Sequence, residues 1–275
     1  MKIVAHTLVE NAPRFGWFAI NSVIDYVDEI MVWDTGSTDD TVRIIKSINN
    51  PKLKFKEIGP VDENSFTQSR QKMLDETQAD WIIIVDSDEI WSQKAIQELV
   101  NTIKTEGPKH EFLINRFYNL IGDIYHHQEE IAGQYQIGSH KGHITIRVIN
   151  MNIPGLHYER PHGQQGLFDN QGTLIQDRVK DPKILNEKYL HATNLRRSIT
   201  AEEDKSVLKR SFKYKYKLGI PYPSDFEYPE IFYAPRPLQV PSPWGKRDLT
   251  YIARAAWQTP LKYIKRRIFS SPSGY

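Results

Sequence analysis

The chain has 275 residues, enough for one large domain or two modest ones, and 39% of them are apolar. Its longest apolar run, Trp81-Ile82-Ile83-Ile84-Val85, falls far short of the roughly 20 residues of a bilayer-spanning helix, and Met1–His6 is too short for a secretory signal, so a cytoplasmic location is expected. Cysteine is absent, which excludes disulfides, thiolate catalysis and Cys-ligated metals, and the net charge of +2 hides an acidic front (residues 1–100, 10 basic against 17 acidic) and a basic end (residues 241–275, 7 against 1).

The first hundred residues alternate short β-rich runs with amphipathic stretches, the pattern of parallel strands joined by crossover helices. Ile3–Leu8 is expected to be a strand. Pro13 suits a helix start, and Trp17, Ile20, Ile24 and Val27 recur at helical spacing as one buried stripe. Strands are expected at Glu29–Trp33, Leu53–Ile58 and Trp81–Val85, the last apolar on both faces and therefore central. Between them, Ser37 or Thr38 can cap a helix running through Val42, Ile45 and Ile48, and Phe66–Thr77 forms another. Farther on, Phe112–Leu120 and His143–Ile149 look like longer strands separated by a loop rich in histidine. Gly155–Gly172 looks mostly like loop, Thr200–Leu218 like a basic helix, and Pro221–Pro243 like a proline-rich strap.

Ligands of open α/β sheets bind outside the carboxyl ends of the strands. Thr7 and Glu10 follow the first strand, Asp34 to Asp40 the second, and Asp86-Ser87-Asp88-Glu89 the central one, so this edge gathers carboxylates. On an extended backbone Asp86 and Asp88 would point the same way, and hard oxygen donors suit Mg²⁺ or Mn²⁺ shared with substrate phosphates. The bland account makes Asp86–Glu89 a solvated turn that caps the next helix with Ser87 or Asp88. Gly36 likewise suits a tight turn ahead of a helix N-terminus, an account that leaves Asp34 unexplained. Arg70 is either a surface charge or a cation reaching the crevice.

Asp34-Thr35-Gly36-Ser37-Thr38-Asp39-Asp40-Thr41, then Phe66-x-x-x-Arg70, then Asp80 to Glu89 together resemble the nucleotide-sugar-binding half of glycosyltransferase family 2 over about the first 105 residues. The resemblance implies a GT-A fold: a Rossmann-like, mostly parallel central sheet flanked by helices. It also implies a nucleoside-diphosphate sugar donor, a divalent cation, and inversion at the anomeric carbon. By it, Thr7 and Glu10 line the nucleotide, Asp34 holds base or ribose, Arg70 lies beside uracil, Asp86 lies on the ribose side and Asp88 binds metal. Where the family often has Arg-Asn-Glu, this chain has Leu8-Val9-Glu10. The second half is similar to the lipopolysaccharide-core branch, which makes His191 a third metal ligand or diphosphate contact and suggests cell-envelope polysaccharide as the setting.

Inversion needs a base for the acceptor hydroxyl, and Glu159 is the candidate, the alternative being a rim carboxylate paired with Arg160. His157 and His162 could serve packing alone, and His126, His127, His140 and His143 are expected on loops. The expected organisation is a catalytic domain over 1–200, divided at 105 into nucleotide-sugar and acceptor halves, and an extension over 201–275. Residues 249–268 form a basic helix that either packs on the domain or, with the rest of 246–268, meets a membrane surface peripherally. No nucleic-acid-binding motif is present. The expected activity is transfer from a nucleoside-diphosphate sugar, UDP favoured, to a glycan or lipid-linked acceptor. Its rivals are a nucleotide-holding but inactive GT-A-like domain, a haloacid-dehalogenase-type phosphotransferase and a nucleotidyltransferase. The last would want a Gly-rich basic loop that Leu8–Arg14 lacks.

Overall fold

The structure, a computed structural model, describes residues 1–208, 213 and 215–268, with the side chains at 261–268 left aside. The first half is β1 (Ile3–Val9), α1 (Gly16–Val23), β2 (Glu29–Asp34), α2 (Thr41–Lys46), β3 (Leu53–Glu57), α3 (Glu63–Glu76), β4 (Trp81–Ile84), β5 (Glu89–Ile90) and α4 (Gln93–Glu106). There follow β6 (Phe112–Ile121), β7 (Asp123–His127), β8 (Tyr135–Ile137), β9 (His140–Gly142), β10 (Ile144–Asn150), β11 (His157–Glu159) and β12 (Gly166–Phe168). The remainder is α5 (Ile175–Arg178), β13 (Ile184–His191), α6 (Ala201–Ser206), β14 (Ile220–Pro221) and α7 (Leu249–Ile268).

Strands β3, β2, β1 and β4 lie side by side and parallel, joined by helical crossovers. Beyond β4 the sheet turns antiparallel through β10, β6, β7 and β14, while β13 lies parallel to β6 and antiparallel to β5. This is the expected α/β architecture. All four residues of β4 are buried, as its two apolar faces require. Along β1 the side chains alternate: Ile3, Ala5 and Val9 join the large core with α1 and α4, while Val4 and Leu8 join Met31, Trp33 and Met73 beneath α3.

Several expectations are corrected. Helix α2 begins at Thr41, because Ser37 and Thr38 are engaged by Asn11 instead: Asn11 N donates to Ser37 Oγ at 2.9 Å, and Thr38 N donates to Asn11 Oδ1 at 2.8 Å. The histidine-rich stretch holds three short strands, placing His126 and His127 in β7 and His140 in β9, and the 155–172 segment holds the β11–β12 hairpin. Within 200–218 the described helix spans only Ala201–Ser206, opened by a capping box between Thr200 and Glu203; residues 209–212 and 214 lie outside the described residues. The proline-rich strap is no loose linker. Its Phe232 meets Phe18 edge-on at 5.2 Å, and Phe232 and Val240 belong to the large core, so the strap shares the interior of 1–200. Over 249–260 of α7 the buried positions are Tyr251 and Ala255, whereas Leu249, Ala256 and Trp257 of the expected packing stripe are exposed, and Leu261, Ile264 and Ile268 lie outside the described side chains.

Candidate active site

A cavity of about 540 Å³ opens at the carboxyl ends of β1 and β4. Its wall includes Glu10, Thr35, Arg70, Asp86, Asp88, Arg147, His191 and Arg197. The Asp86–Glu89 segment is a turn, closed by Glu89 N donating to Asp86 O at 2.9 Å and tied to the end of β13 by Ala192 N donating to Asp88 O at 2.7 Å. Because this is a turn and not extended strand, Asp86 and Asp88 engage different partners.

Asp86 accepts from Arg70 Nη2 at 2.7 Å and from Arg147 Nη2 at 2.8 Å. Burial alone would raise its carboxyl, but Arg147 and Arg70 outweigh that and hold it well below the usual carboxylate range. Asp88 lies 3.6 Å from His191 Nε2 and 3.7 Å from Arg197 Nη1. Arg197 also donates to Ser87 Oγ at 2.7 Å. Glu89 is fully buried and accepts from Arg147 Nε at 3.0 Å and Tyr189 OH at 2.8 Å; burial pushes its carboxyl up against the pull of Arg147. The solvated helix-cap account of this turn is overturned, since α4 starts later and is capped by Ser92, which accepts from Ala95 N at 3.2 Å.

Glu10 stands on the wall with its pKa raised to about 7, by burial first and then by Asp34, against the opposing Arg197. Asp34 is buried at the end of β2, just behind the wall residue Thr35. Its Oδ1 accepts from Gly36 N and Ser37 N, both at 3.0 Å, while Oδ2 has no hydrogen-bond partner among the described residues. Gly36 is required here: it adopts φ +99°, and a Cβ would lie 2.9 Å from Pro60. Arg70 is 5% exposed, so it is no surface charge, and its guanidinium lies over the Phe66 ring at 5.5 Å.

Three expected residues are not on the wall: Asp34, just behind Thr35, and two others. Thr7 is fully buried within β1 on the face that carries Ala5 and Val9, so strand alternation turns it toward the core. Glu159 sits half-exposed on the β11–β12 hairpin, bonded to His157 Nε2 at 2.8 Å and not paired with Arg160. The residues just after it, His162 to Gln165, do line the cavity, and His162 packs on Phe66 at 4.2 Å.

Sequence patterning assigns no role to Arg147, Tyr189 or Arg197. Arg147 is the extra residue of a bulge in β10, where the register to β6 shifts between Ile146 and Val148. A bulge re-aims a side chain and has no sequence signature of its own. The one available signal was an arginine inside the apolar run Ile144 to Ile149.

No group of three or more His, Asp or Glu side chains placed to hold a metal ion occurs among the described residues. Arginines pair with Asp86 and Glu89, and Asp88 and His191 stand beside them as an adjacent carboxylate and imidazole. Mg²⁺ or Mn²⁺ commonly takes one or two protein ligands and fills the rest of its shell from phosphate and water, so this donor set fits such an ion.

A carboxylate- and arginine-lined crevice at the switch from parallel to antiparallel pairing marks an α/β enzyme that handles an anionic ligand. The sequence pattern of glycosyl transferase family 2 matches residues 17–168, more than half of the chain, and the protein belongs to that family. It is 34% identical over 103 residues to an uncharacterized glycosyltransferase of Rickettsia prowazekii, covering 38% of this chain and 33% of that one. It is 36% identical over 76 residues to the glycosyltransferase SunS of Bacillus subtilis, covering 27% and 17%. The matches thus span a third or less of these relatives. Among solved structures, Staphylococcus aureus TarS 1-349 in complex with UDP-GlcNAc is similar at 16% identity and a TM-score of 0.47, over 69% of this chain and 58% of that one.

Proposed function

We propose that the protein transfers a sugar, with inversion, from a nucleoside-diphosphate sugar to a glycan or lipid-linked acceptor. The observation that carries this is the pairing of Asp88 and His191 beside Arg197 at the mouth of the parallel sheet. Carboxylate, imidazole and guanidinium together suit a cation-bridged diphosphate. Buried Asp34 Oδ2 offers an acceptor for a ribose hydroxyl or base N–H, and Arg70 beside Phe66 offers a cation at a pyrimidine ring, which favours UDP. Mg²⁺ or Mn²⁺ held by Asp88 and His191 would absorb charge on the departing diphosphate.

The acceptor hydroxyl must lose a proton as its oxygen attacks the anomeric carbon. Of the wall carboxylates, Asp86 is locked low by two arginines and Asp88 belongs with the cation. Glu10, on the same wall and with its carboxyl raised by burial to about 7, is the base we assign. Glu159 is the second reading, supported by its contact with His157 just before the cavity lip.

Calorimetric titration should show UDP binding that Mn²⁺ strengthens, with the metal effect abolished in Asp88→Ala; absence of nucleotide binding at millimolar UDP would overturn the proposal. With turnover in hand, Glu10→Gln should lower kcat by about 100-fold or more while retaining UDP binding, the scale of a lost general base. Loss confined to Glu159→Gln would assign the proton to the hairpin instead.

A further inference from the structure

Helix α7 presents an apolar face to solvent. Tyr251 and Ala255 are buried against the domain, whereas Leu249 and Trp257 are 84% and 78% exposed, and Ala253, Ala256 and Pro260 are exposed with them. At 100° per residue these five positions share an arc of about 100° opposite Tyr251 and Ala255. We propose that this face docks onto the headgroup layer of an anionic lipid bilayer, with the helix lying in the interface plane.

Charge complementarity argues for that occupant. Residues 246–268 contain Lys246, Arg247, Arg254, Lys262, Lys265, Arg266 and Arg267 against the single acid Asp248, which is spent on accepting from Tyr251 N at 2.6 Å at the helix start. Beside that first turn lies a second cavity of about 330 Å³, bordered by Arg14, Arg196, Lys246 and Arg247. Its buried acid, Asp123, is bonded to His126 Nδ1 at 2.6 Å and accepts from Arg247 N at 3.3 Å, which leaves Arg14, Arg196 and Lys246 as the cations it does not meet in that cavity. Burial first, and then the neighbouring Arg196 against the opposing Asp204, depress the Arg14 guanidinium. A Trp-bearing apolar stripe flanked by cations is the composition that binds anionic interfaces, and each basic residue near such a surface adds attraction. No described helix is long and apolar enough to cross a membrane.

The test is sedimentation of the full chain with phosphatidylcholine vesicles, with and without a one-third share of phosphatidylglycerol. Partitioning should be about tenfold or more stronger onto the anionic vesicles and should weaken with salt. The doubly substituted Leu249→Glu, Trp257→Glu protein should lose about tenfold in partitioning while keeping the parent's melting temperature and UDP binding, because neither side chain is buried. Equal partitioning of parent and variant, or no sedimentation with anionic vesicles, overturns the proposal. So does a concentration-dependent parent dimer that the variant abolishes, since a second copy of the chain would then cover the face.

Discussion

Arg147 decides the electrostatics of the cavity floor. One guanidinium bonds both Asp86 and fully buried Glu89, and Glu89 has no route to water. Taking a carboxylate out of water costs several kcal/mol, and its partner recovers that only while the pair is intact. Arg147→Ala should therefore lower the unfolding free energy by about 3–5 kcal/mol in urea titration. Adding Glu89→Gln should restore much of the loss by removing the stranded charge. If the single variant unfolds at the parent's midpoint, Glu89 is not ionised. Glu10 gives a prediction of another kind. Its folded pKa of about 7 lies above the ordinary glutamate value, so the folded state holds the proton more tightly and Glu10 costs stability as pH rises from about 4.5 toward 7. Glu10→Gln should raise the melting temperature above the parent's at pH 8 and leave it near the parent's at pH 4. An equal gain at both values would contradict the burial of that carboxylate.

At the scale of elements, the short helix Glu230–Tyr233 carries the largest consequence. Phe232 is 1% exposed, wedged against Phe18 of α1 and 5.8 Å from Trp244. Phe232→Ala should cost about 3–5 kcal/mol, the range for a large core side chain truncated to a cavity. A cost below about 1 kcal/mol would mean that the strap only rests on the surface. The same contrast explains what the sequence made legible. The four parallel strands follow from local apolar runs and the carboxylates sit where strand ends place them, so Asp86 and Asp88 could be named from spacing, whereas Arg70 took its place from the family resemblance. Strand β13 could not, because Ile184–His191 mixes Asn186, Glu187 and Lys188 into its length and is held by pairing with β6 and β5. The bulge at Arg147 and the burial of Phe232 likewise arise from partners more than thirty residues away. Thr7 is a smaller case: it is fully buried within β1, and it is Leu8, Val9 and Glu10, at the strand's end, that reach the cavity wall.

Across the whole molecule, the expected division at residue 200 meets a core that ignores it. The large cluster runs from Ile3 through Leu195 to Phe232 and Val240, and Tyr125 OH donates to Trp244 O at 3.2 Å across the same boundary. Arg14 Nε donates to Ser198 O, and Ser198 Oγ donates to Asn11 O, so the chain entering the extension is stitched to the loop behind Glu10. Small single cores unfold all-or-none, whereas separable domains unfold independently. The full chain should therefore show one calorimetric transition. A fragment ending at residue 200 should lack a cooperative transition and bind a hydrophobic dye, because Phe18 and its neighbours would lose the aromatic lid that the strap supplies. UDP binding should disappear with it, since the fragment loses both the strap and the wall residues Val207, Leu208 and Lys213. A cooperatively melting fragment that still binds UDP would restore the boundary at residue 200, and would make the strap an accessory to a self-sufficient catalytic domain.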